Sequence, residues 1–256
     1  MALFQSGNPT LSEKIFNRTL TDVNQGTMTV RGAMNKFGFM LLLVVAGAVF
    51  TWRQFLTGSP ESAQTFMFVG LFGGLVTGLI ISFKPTTARY LAPAYAVLEG
   101  LLLGGLSMIV NASVGQKMPG IVPQAVGLTF AVAFAMFLLY NFRIIKPTQK
   151  FRAVITASIG GILLFYIAML ILSFFHVRVG FMSWTDASPL GIGLNIFIIA
   201  IAALSLILDF DMIETGETMG APKYMEWYGA FGLLVTMVWL YIQILKLLSR
   251  FASSRS

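Results

Sequence analysis

The amino-acid sequence predicts an all-α, polytopic membrane protein with seven transmembrane helices. Hydrophobic residues make up 57% of the 256 residues and charged residues only 11%, whereas a soluble domain is typically about 25% charged. The apolar residues are gathered into long runs separated by short polar segments. A chain this poor in charge cannot cover itself in water, so we expect the lipid bilayer to be its principal partner.

Seven runs are long enough to cross a membrane, because a helix needs roughly 20 apolar residues to span about 30 Å of hydrocarbon. Lipid offers no partners for backbone N–H and C=O groups, so each run is predicted to be helical. Turn chemistry at 57–60, 117–120 and 220–222 and Lys-Pro pairs at 84–85 and 146–147 separate several of these runs. The seven runs cover residues 33–52, 63–83, 90–110, 122–142, 153–175, 189–208 and 230–248.

The chain divides into a polar N-terminal segment (1–31), a transmembrane domain (32–250) and a short C-terminal tail (251–256). Thr10 and Glu13 have the spacing of a capping box, and Leu11, Ile15 and Phe16 lie on one side of the helix it would start. Two interpretations of this segment stay open: an amphipathic helix lying on the membrane surface or a loosely ordered tail.

The distribution of cations predicts the orientation. Lys and Arg are concentrated on the cytoplasmic side of membrane proteins, which places the N-terminus in the cytoplasm and the protein in the cell inner (plasma) membrane. The outside loops then carry only Arg53, Lys117 and Arg178, and the inside segments carry Lys14, Arg18, Arg31, Lys36, Lys84, Arg89, Arg143, Lys146, Lys150, Arg152 and Lys223.

The seventh run disagrees with this rule, because a full span places Lys246, Arg250 and Arg255 outside. A re-entrant seventh segment would return them to the cytoplasm. We prefer seven full spans over that alternative.

Composition argues against several classes of protein. The chain has no cysteine, which excludes disulfides, thiol nucleophiles and cysteine-ligated zinc. His176 is the single histidine, and no G-x-S-x-G element is present to position a serine nucleophile. We therefore expect no enzymatic activity and no resident cofactor. The net charge of +7 is attributed to loop cations at the lipid surface rather than to a nucleic-acid partner.

Glycines recur at four-residue spacing in the second and third runs. They are Gly70, Gly74 and Gly78 in the second run, and Gly100 and Gly104 in the third. Small residues let membrane helices approach closely, so we interpret these stripes as internal packing, with a homodimer seam as the alternative. The expected state is a monomer or a weak oligomer.

Ionisable residues inside a span are costly, by about 2.5–3.5 kcal/mol on insertion scales, and mark functional sites by default. Glu99 lies near the middle of the third run. It is either a proton-sensing or ion-sensing group in a wet cavity, or a hydrogen-bonded carboxyl that locks two helices together.

A second acidic site, Asp209-Phe210-Asp211-Met212-Ile213-Glu214, follows the sixth run. At about 100° per residue, Asp209 and Asp211 point about 160° apart, so they cannot share one partner. Crowded carboxylates at low dielectric favour protonation of one of them, and oxygen ligands suit Ca²⁺. We predict a sensing role for Asp209 and Asp211. Glu214, Glu217 and Glu226 are interpreted as solvated loop acids.

Three motifs together resemble one family. Y-A-V-L-E-G-L in the third run, L-D-F-D-M-I-E at the end of the sixth and W-L-Y-I-Q-I-L-K-L-L in the seventh resemble the Bax inhibitor-1/YccA (transmembrane Bax inhibitor motif) family. The N-terminal N-P-T-L-S-E segment resembles its bacterial branch. The resemblance implies a central seventh helix surrounded by the other six.

Some members of that family resemble pH-sensitive calcium-leak channels gated by two aspartates, on the sixth and seventh helices. The resemblance puts the first aspartate at Asp209, with Asp211 as the competing register, and maps Glu99 onto the acid of the third helix. It also implies a latching arginine in the loop after the second helix, for which Arg89 is the candidate and Lys84 the substitute.

The sequence departs from the family at the second gating position, where Gln243 stands in place of the acid. The two-carboxylate proton lock is therefore not intact, and Gln243 is a candidate for an altered latch. The expected function is a calcium leak gated by the membrane-embedded acids, with Ca²⁺ as the transported ion. The alternative is a non-transporting regulator that binds other membrane proteins, such as a membrane protease, through its N-terminal segment.

Overall fold

The computed structural model describes residues 26–57, 60–175, 180 and 183–254. The proposed N-terminal surface helix, His176, Arg178 and Arg255 lie outside these residues. The described chain is built from seven long helices and a short 3₁₀ turn. They are α1 (Val30–Leu56), α2 (Pro60–Phe83), the 3₁₀ turn (Pro85–Thr87), α3 (Ala88–Val114), α4 (Ile121–Asn141), α5 (Gln149–Phe174), α6 (Pro189–Thr218) and α7 (Met225–Ser254).

The predicted fold class is confirmed. The described residues are 85% helical, and all seven helices are long and apolar enough to cross a membrane. At 1.5 Å per residue, the 30 residues of α7 extend about 45 Å, which exceeds the thickness of the hydrocarbon core.

Local capping explains where three of the helices begin. The side chains of Thr29, Thr148 and Ser188 each accept a hydrogen bond from the backbone N–H three residues later. A hydroxyl in this position satisfies one of the unpaired N–H groups of the first turn. These polar residues therefore start α1, α5 and α6 at the edges of the apolar runs.

The sixth helix is longer than its apolar run predicts. α6 continues from Pro189 to Thr218, so the acids from Asp209 to Glu217 are helical. The interpretation of Glu214 and Glu217 as loop residues is wrong, because the helix does not end where the hydrophobic residues end. The last turns of α6 thus carry carboxylates on a rigid frame.

The central position of α7 is also confirmed. α7 packs against α1, α3, α4 and α6, while α2 packs on α1 and α3, and α5 packs on α6. α7 is the most buried of the seven helices. It is therefore enclosed directly by four neighbours, and α2 and α5 form the outer edges of the bundle.

α7 runs the full length of the bundle. At its start Glu226 accepts a hydrogen bond from the backbone N–H of Thr29, the N-cap of α1. At its end Arg250 donates to the carbonyls of Gly191, in the first turn of α6, and of Ser183, which precedes α6. This geometry agrees with seven full spans rather than a re-entrant seventh segment. We refer to the side on which α1 begins as the N-terminal end and to the other side as the opposite end.

The glycine stripes lie at internal helix crossings. A Cβ on Gly70 would lie 2.7 Å from the backbone N of Leu102, and a Cβ on Gly104 would lie 2.6 Å from the carbonyl oxygen of Ala48. Such distances are too short for any side chain, so glycine is what allows α2 and α1 to approach α3. The internal-packing interpretation of these stripes is confirmed.

Candidate functional site

The acids of α6 form an array at the N-terminal end of the bundle. Asp211 pairs with Arg152, and Glu214 pairs with Arg143 and accepts a hydrogen bond from the Tyr140 hydroxyl. The Asp211 side chain is only 13% exposed, whereas both arginines are about half exposed. Two ion pairs therefore tie α6 to the residues that flank the connection between α4 and α5.

The backbone conformation just after α4 orients the side chain of Arg143. Arg143 has φ of 55°, a left-handed conformation that is uncommon outside glycine. This turn lets its guanidinium lie 5.0 Å from the centre of the Tyr140 ring while it contacts Glu214. Hydrogen bonds to Glu214 and Tyr140 raise the pKa of the Arg143 guanidinium above its ordinary value, so this residue stays cationic.

Asp209 lies two residues before Asp211 on α6 and differs from its neighbours. Its carboxyl is within hydrogen-bonding reach of Thr236 on α7. Its Oδ2 atom is buried and has no hydrogen-bond partner. None of the ion pairs among the described residues involves Asp209. A buried carboxylate in such a setting is costly unless it binds a proton or a cation.

The predicted latch residues do not meet Asp209 in this structure. Arg89 is exposed, and its guanidinium lies 5.7 Å from the centre of the Tyr90 ring. Lys84 is exposed and precedes the 3₁₀ turn. The cations that bind the acidic array are instead Arg143 and Arg152. Both arginines follow the fourth helix rather than the second, and the sequence there contains no motif that predicts this role.

Gln243 also lies away from Asp209. Its Oε1 accepts a hydrogen bond from Asn195 Nδ2 (3.0 Å), and its Nε2 donates to the Tyr166 hydroxyl (3.3 Å). Asn195 and Asp209 are 14 residues apart on α6, which corresponds to about 21 Å along the helix. The structure therefore puts Gln243 in a neutral polar cluster that joins α5, α6 and α7 in the opposite half of the bundle.

Glu99 is buried at the crossing of α2 and α3. It is 8% exposed, it is within hydrogen-bonding reach of Tyr95, and its Oε1 faces Gly74. Its Oε2 has no hydrogen-bond partner. Glu99 and Asp209 are thus two separate buried acids, and no group of three acidic or histidine side chains in the described ranges is arranged to hold a metal ion.

Glu226 is a buried residue that the sequence interpretation missed. It was taken for a solvated loop acid, but it is fully buried. Its carboxylate accepts from the backbone N–H and the hydroxyl of Thr29 (2.9 and 3.0 Å) and pairs with Lys36 and Lys223. The long separation in sequence between α1 and α7 hid this contact, which fastens the start of the central helix to the start of the first.

Two cationic side chains are buried at the opposite end, and the sequence analysis did not single them out as site residues. Lys246 is 8% exposed, with its ammonium 5.9 Å from the centre of the Trp184 ring. Arg250 is 2% exposed and bonds to two carbonyls near the start of α6. A cation at this depth needs aromatic or carbonyl partners, and both residues have them.

Seven apolar helices, one of them buried at the centre of the bundle, with ionisable groups held inside, define a multi-pass membrane protein. A family model described as Bax inhibitor 1 like matches residues 8–253. The chain belongs to the Bax inhibitor-1-like family. Searches of curated proteins and of solved structures find no match.

Proposed function

We propose that this protein is a proton-regulated cation leak, with Ca²⁺ as the transported ion and the acidic array of α6 as its gate. The observation that carries this proposal is Asp209, whose carboxyl has a buried, unpartnered oxygen at the same end of α6 as two acid–arginine pairs. Asp211, Glu214 and Glu226 are each paired with a cation, whereas no ion pair among the described residues involves Asp209, so Asp209 can bind an entering cation. Asp209 keeps its predicted role, and the latch consists of Arg143 and Arg152 instead of Arg89 or Lys84.

The gate works through the pairs that hold α5 in place. α5 packs mainly on α6, so Arg152 is a principal tie between the two helices at the N-terminal end. Asp211 holds Arg152 and Glu214 holds Arg143, so these two pairs keep the start of α5 against α6. Loss of both ties lets the start of α5 move away from α6 and opens the way to Asp209.

The direction of pH dependence follows from this arrangement. Asp209 is the proton-sensing acid, because none of the ion pairs among the described residues involves it. Ionised Asp209 retains an entering cation at the gate, and protonated Asp209 releases it. Cation flux is therefore expected to increase as the pH falls.

Purified protein in vesicles loaded with a calcium-sensitive dye tests the proposal between about pH 5 and pH 8, the range in which protein switches of this kind operate. Arg152→Gln should leak more than the wild type at neutral pH, because one of the two ties is removed. Asp209→Asn should abolish the pH dependence. Glu61→Gln, a neutralised acid exposed near the start of α2, is the matched control and should behave as wild type.

Flux no greater than in protein-free vesicles across that whole range would contradict the proposal. A flux-inactive protein that is recovered from native membranes with a stoichiometric membrane-protein partner would instead support a non-transporting regulator. Neutralising Asp209 would then leave partner recovery unchanged, which separates the two functions.

A further inference from the structure

A cavity of about 270 Å³ lies between α1, α3, α4 and α7, away from the acidic array. Its walls come from residues 41–52 of α1, 103–107 of α3, 122–130 of α4 and 234–241 of α7. The cavity exists because α1 packs closely on α3, whereas α4 packs on α6 and α7 and barely reaches α3. The bundle is therefore open on one side between α1 and α4.

The hydroxyl groups in the walls are already bonded within the protein. Ser107 donates to the Leu103 carbonyl and shares a hydrogen bond with the Tyr241 hydroxyl at 2.6 Å. Thr129 donates to the Ala125 carbonyl at 2.7 Å. Every hydroxyl in the lining is thus satisfied within the protein. Apolar cavities of this kind stay dry and take up apolar molecules.

The cavity is continuous with the lipid-facing surface. Val45, Val49, Val126 and Phe130 all line it and are also 39–60% exposed. These side chains face the outside of an apolar bundle, where the surrounding medium is the hydrocarbon of the bilayer. The molecule with direct access to the opening is therefore a lipid.

The length of the cavity matches one leaflet. From Leu41 to Trp52 it follows α1 over 12 residues, a rise of about 16 Å and so about half of the roughly 30 Å hydrocarbon core. Trp52 lies one turn before the end of α1, at the depth where indole rings meet the membrane interface. The cavity thus runs from the interface at the opposite end to the middle of the bundle.

We infer that this cavity binds a single acyl chain of a membrane lipid from the leaflet at the opposite end. A second copy of the protein is a poorer occupant, because the cavity narrows between four helices and its inner wall at Met237 is 6% exposed, a depth that one acyl chain can reach and a helix about 10 Å wide cannot. The bound chain fills the gap between α1 and α4 and completes the packing around α7.

Photolabelling tests this inference in phosphatidylcholine vesicles that contain a small fraction of phosphatidylcholine with a diazirine in its acyl chain. Met237 lines the cavity and is 6% exposed, so only a chain inside the cavity can reach it. Peptide mass spectrometry should find label at Met237. Leu206 and Leu245 are fully buried and lie outside the cavity lining, so they should remain unlabelled.

Blocking variants make the test specific. Val126→Trp fills the opening from α4 and Val45→Trp fills it from α1, so each should lower labelling of Met237 to the level of Leu206. Leu164→Trp adds the same ring to the exposed surface of α5, where Leu164 is 68% exposed, and should leave the labelling unchanged. Circular dichroism of each variant serves as the check that it is folded.

Two results would overturn the inference. One is labelling of wild-type Met237 no higher than that of Leu206. The other is photocrosslinking between two protein copies through Val45 and Val126, which would make this face an interface between protomers.

Discussion

The burial and bonding of the Glu226 carboxylate predict that its removal lowers the free energy of unfolding. Replacing it with alanine removes the acceptor for both Thr29 groups and the counter-charge of Lys36 and Lys223. A side chain at Gly32 would overlap Glu226, so the beginning of α1 is built closely around this carboxylate. Alanine would leave an unfilled space at the junction of α1 and α7, and the two Thr29 donors would lose their acceptor.

The magnitude follows from the contacts. Hydrogen bonds to a charged group are worth about 1.5–3 kcal/mol each, and Thr29 makes two of them. The lysine pairs add less, because the Lys36 and Lys223 side chains are 21% and 46% exposed and exposed pairs contribute about 0–1 kcal/mol. Thr29 is itself only partly buried, so we expect a total loss of about 3 kcal/mol.

Thermal unfolding in detergent measures this loss. For a chain of this size, a loss of 1 kcal/mol lowers Tm by about 2–4 °C, so Glu226→Ala should lower Tm by roughly 6–12 °C. Glu226→Gln keeps an oxygen for Thr29 and should cost less. Glu217→Ala is the matched control: Glu217 accepts only one exposed hydrogen bond, from the Val30 N–H at 3.1 Å, and its loss should cost less than about 1 kcal/mol. Equal Tm values for Glu226→Ala and Glu217→Ala would refute the reasoning.

Three further substitutions test the packing of the bundle in the same unfolding assay. Gly47→Ala should destabilise by about 1–3 kcal/mol, because its Cβ would lie 2.7 Å from the Val97 carbonyl. Gly127→Ala should be neutral or stabilising by up to about 1 kcal/mol, because nothing lies within 4 Å of its Cβ; equal losses at both glycines would contradict this contrast. Ser107→Ala should cost about 1–3 kcal/mol by leaving the Tyr241 hydroxyl unpaired. Adding Tyr241→Phe to this variant should restore part of that loss. If the losses of stability in the two single variants simply add in the double variant, the hydrogen bond does not stabilise the bundle.

The membrane class and the seven helices followed from the sequence because they depend on local properties. A run of about 20 apolar residues has one stable arrangement in lipid, a helix with its own hydrogen bonds satisfied. Hydrophobicity marks where a helix lies in lipid but not where it ends. α6 therefore continues ten residues past the predicted end at 208, to Thr218, because its polar last turns find arginine partners instead of lipid.

The acid-bearing positions were likewise visible in the sequence, since an ionisable residue within an apolar run stands out against its neighbours. Glu99 and Asp209 are both buried with an unpartnered oxygen, as their surroundings in sequence suggested. Their partners were not visible. The sequence favoured Arg89 for the latch by resemblance, whereas Arg152 and Arg143 lie against the array in space.

By itself, the sequence determined the number of helices, the close packing at the glycines and the presence of charged groups that lipid cannot tolerate. Only the tertiary structure decided which charges meet. Glu226 and Lys36 are 190 residues apart in the chain, and no local pattern encodes their contact. The physical reason is that burial of charge in a membrane is resolved by neighbours on other helices, and those neighbours are set by how the whole bundle packs.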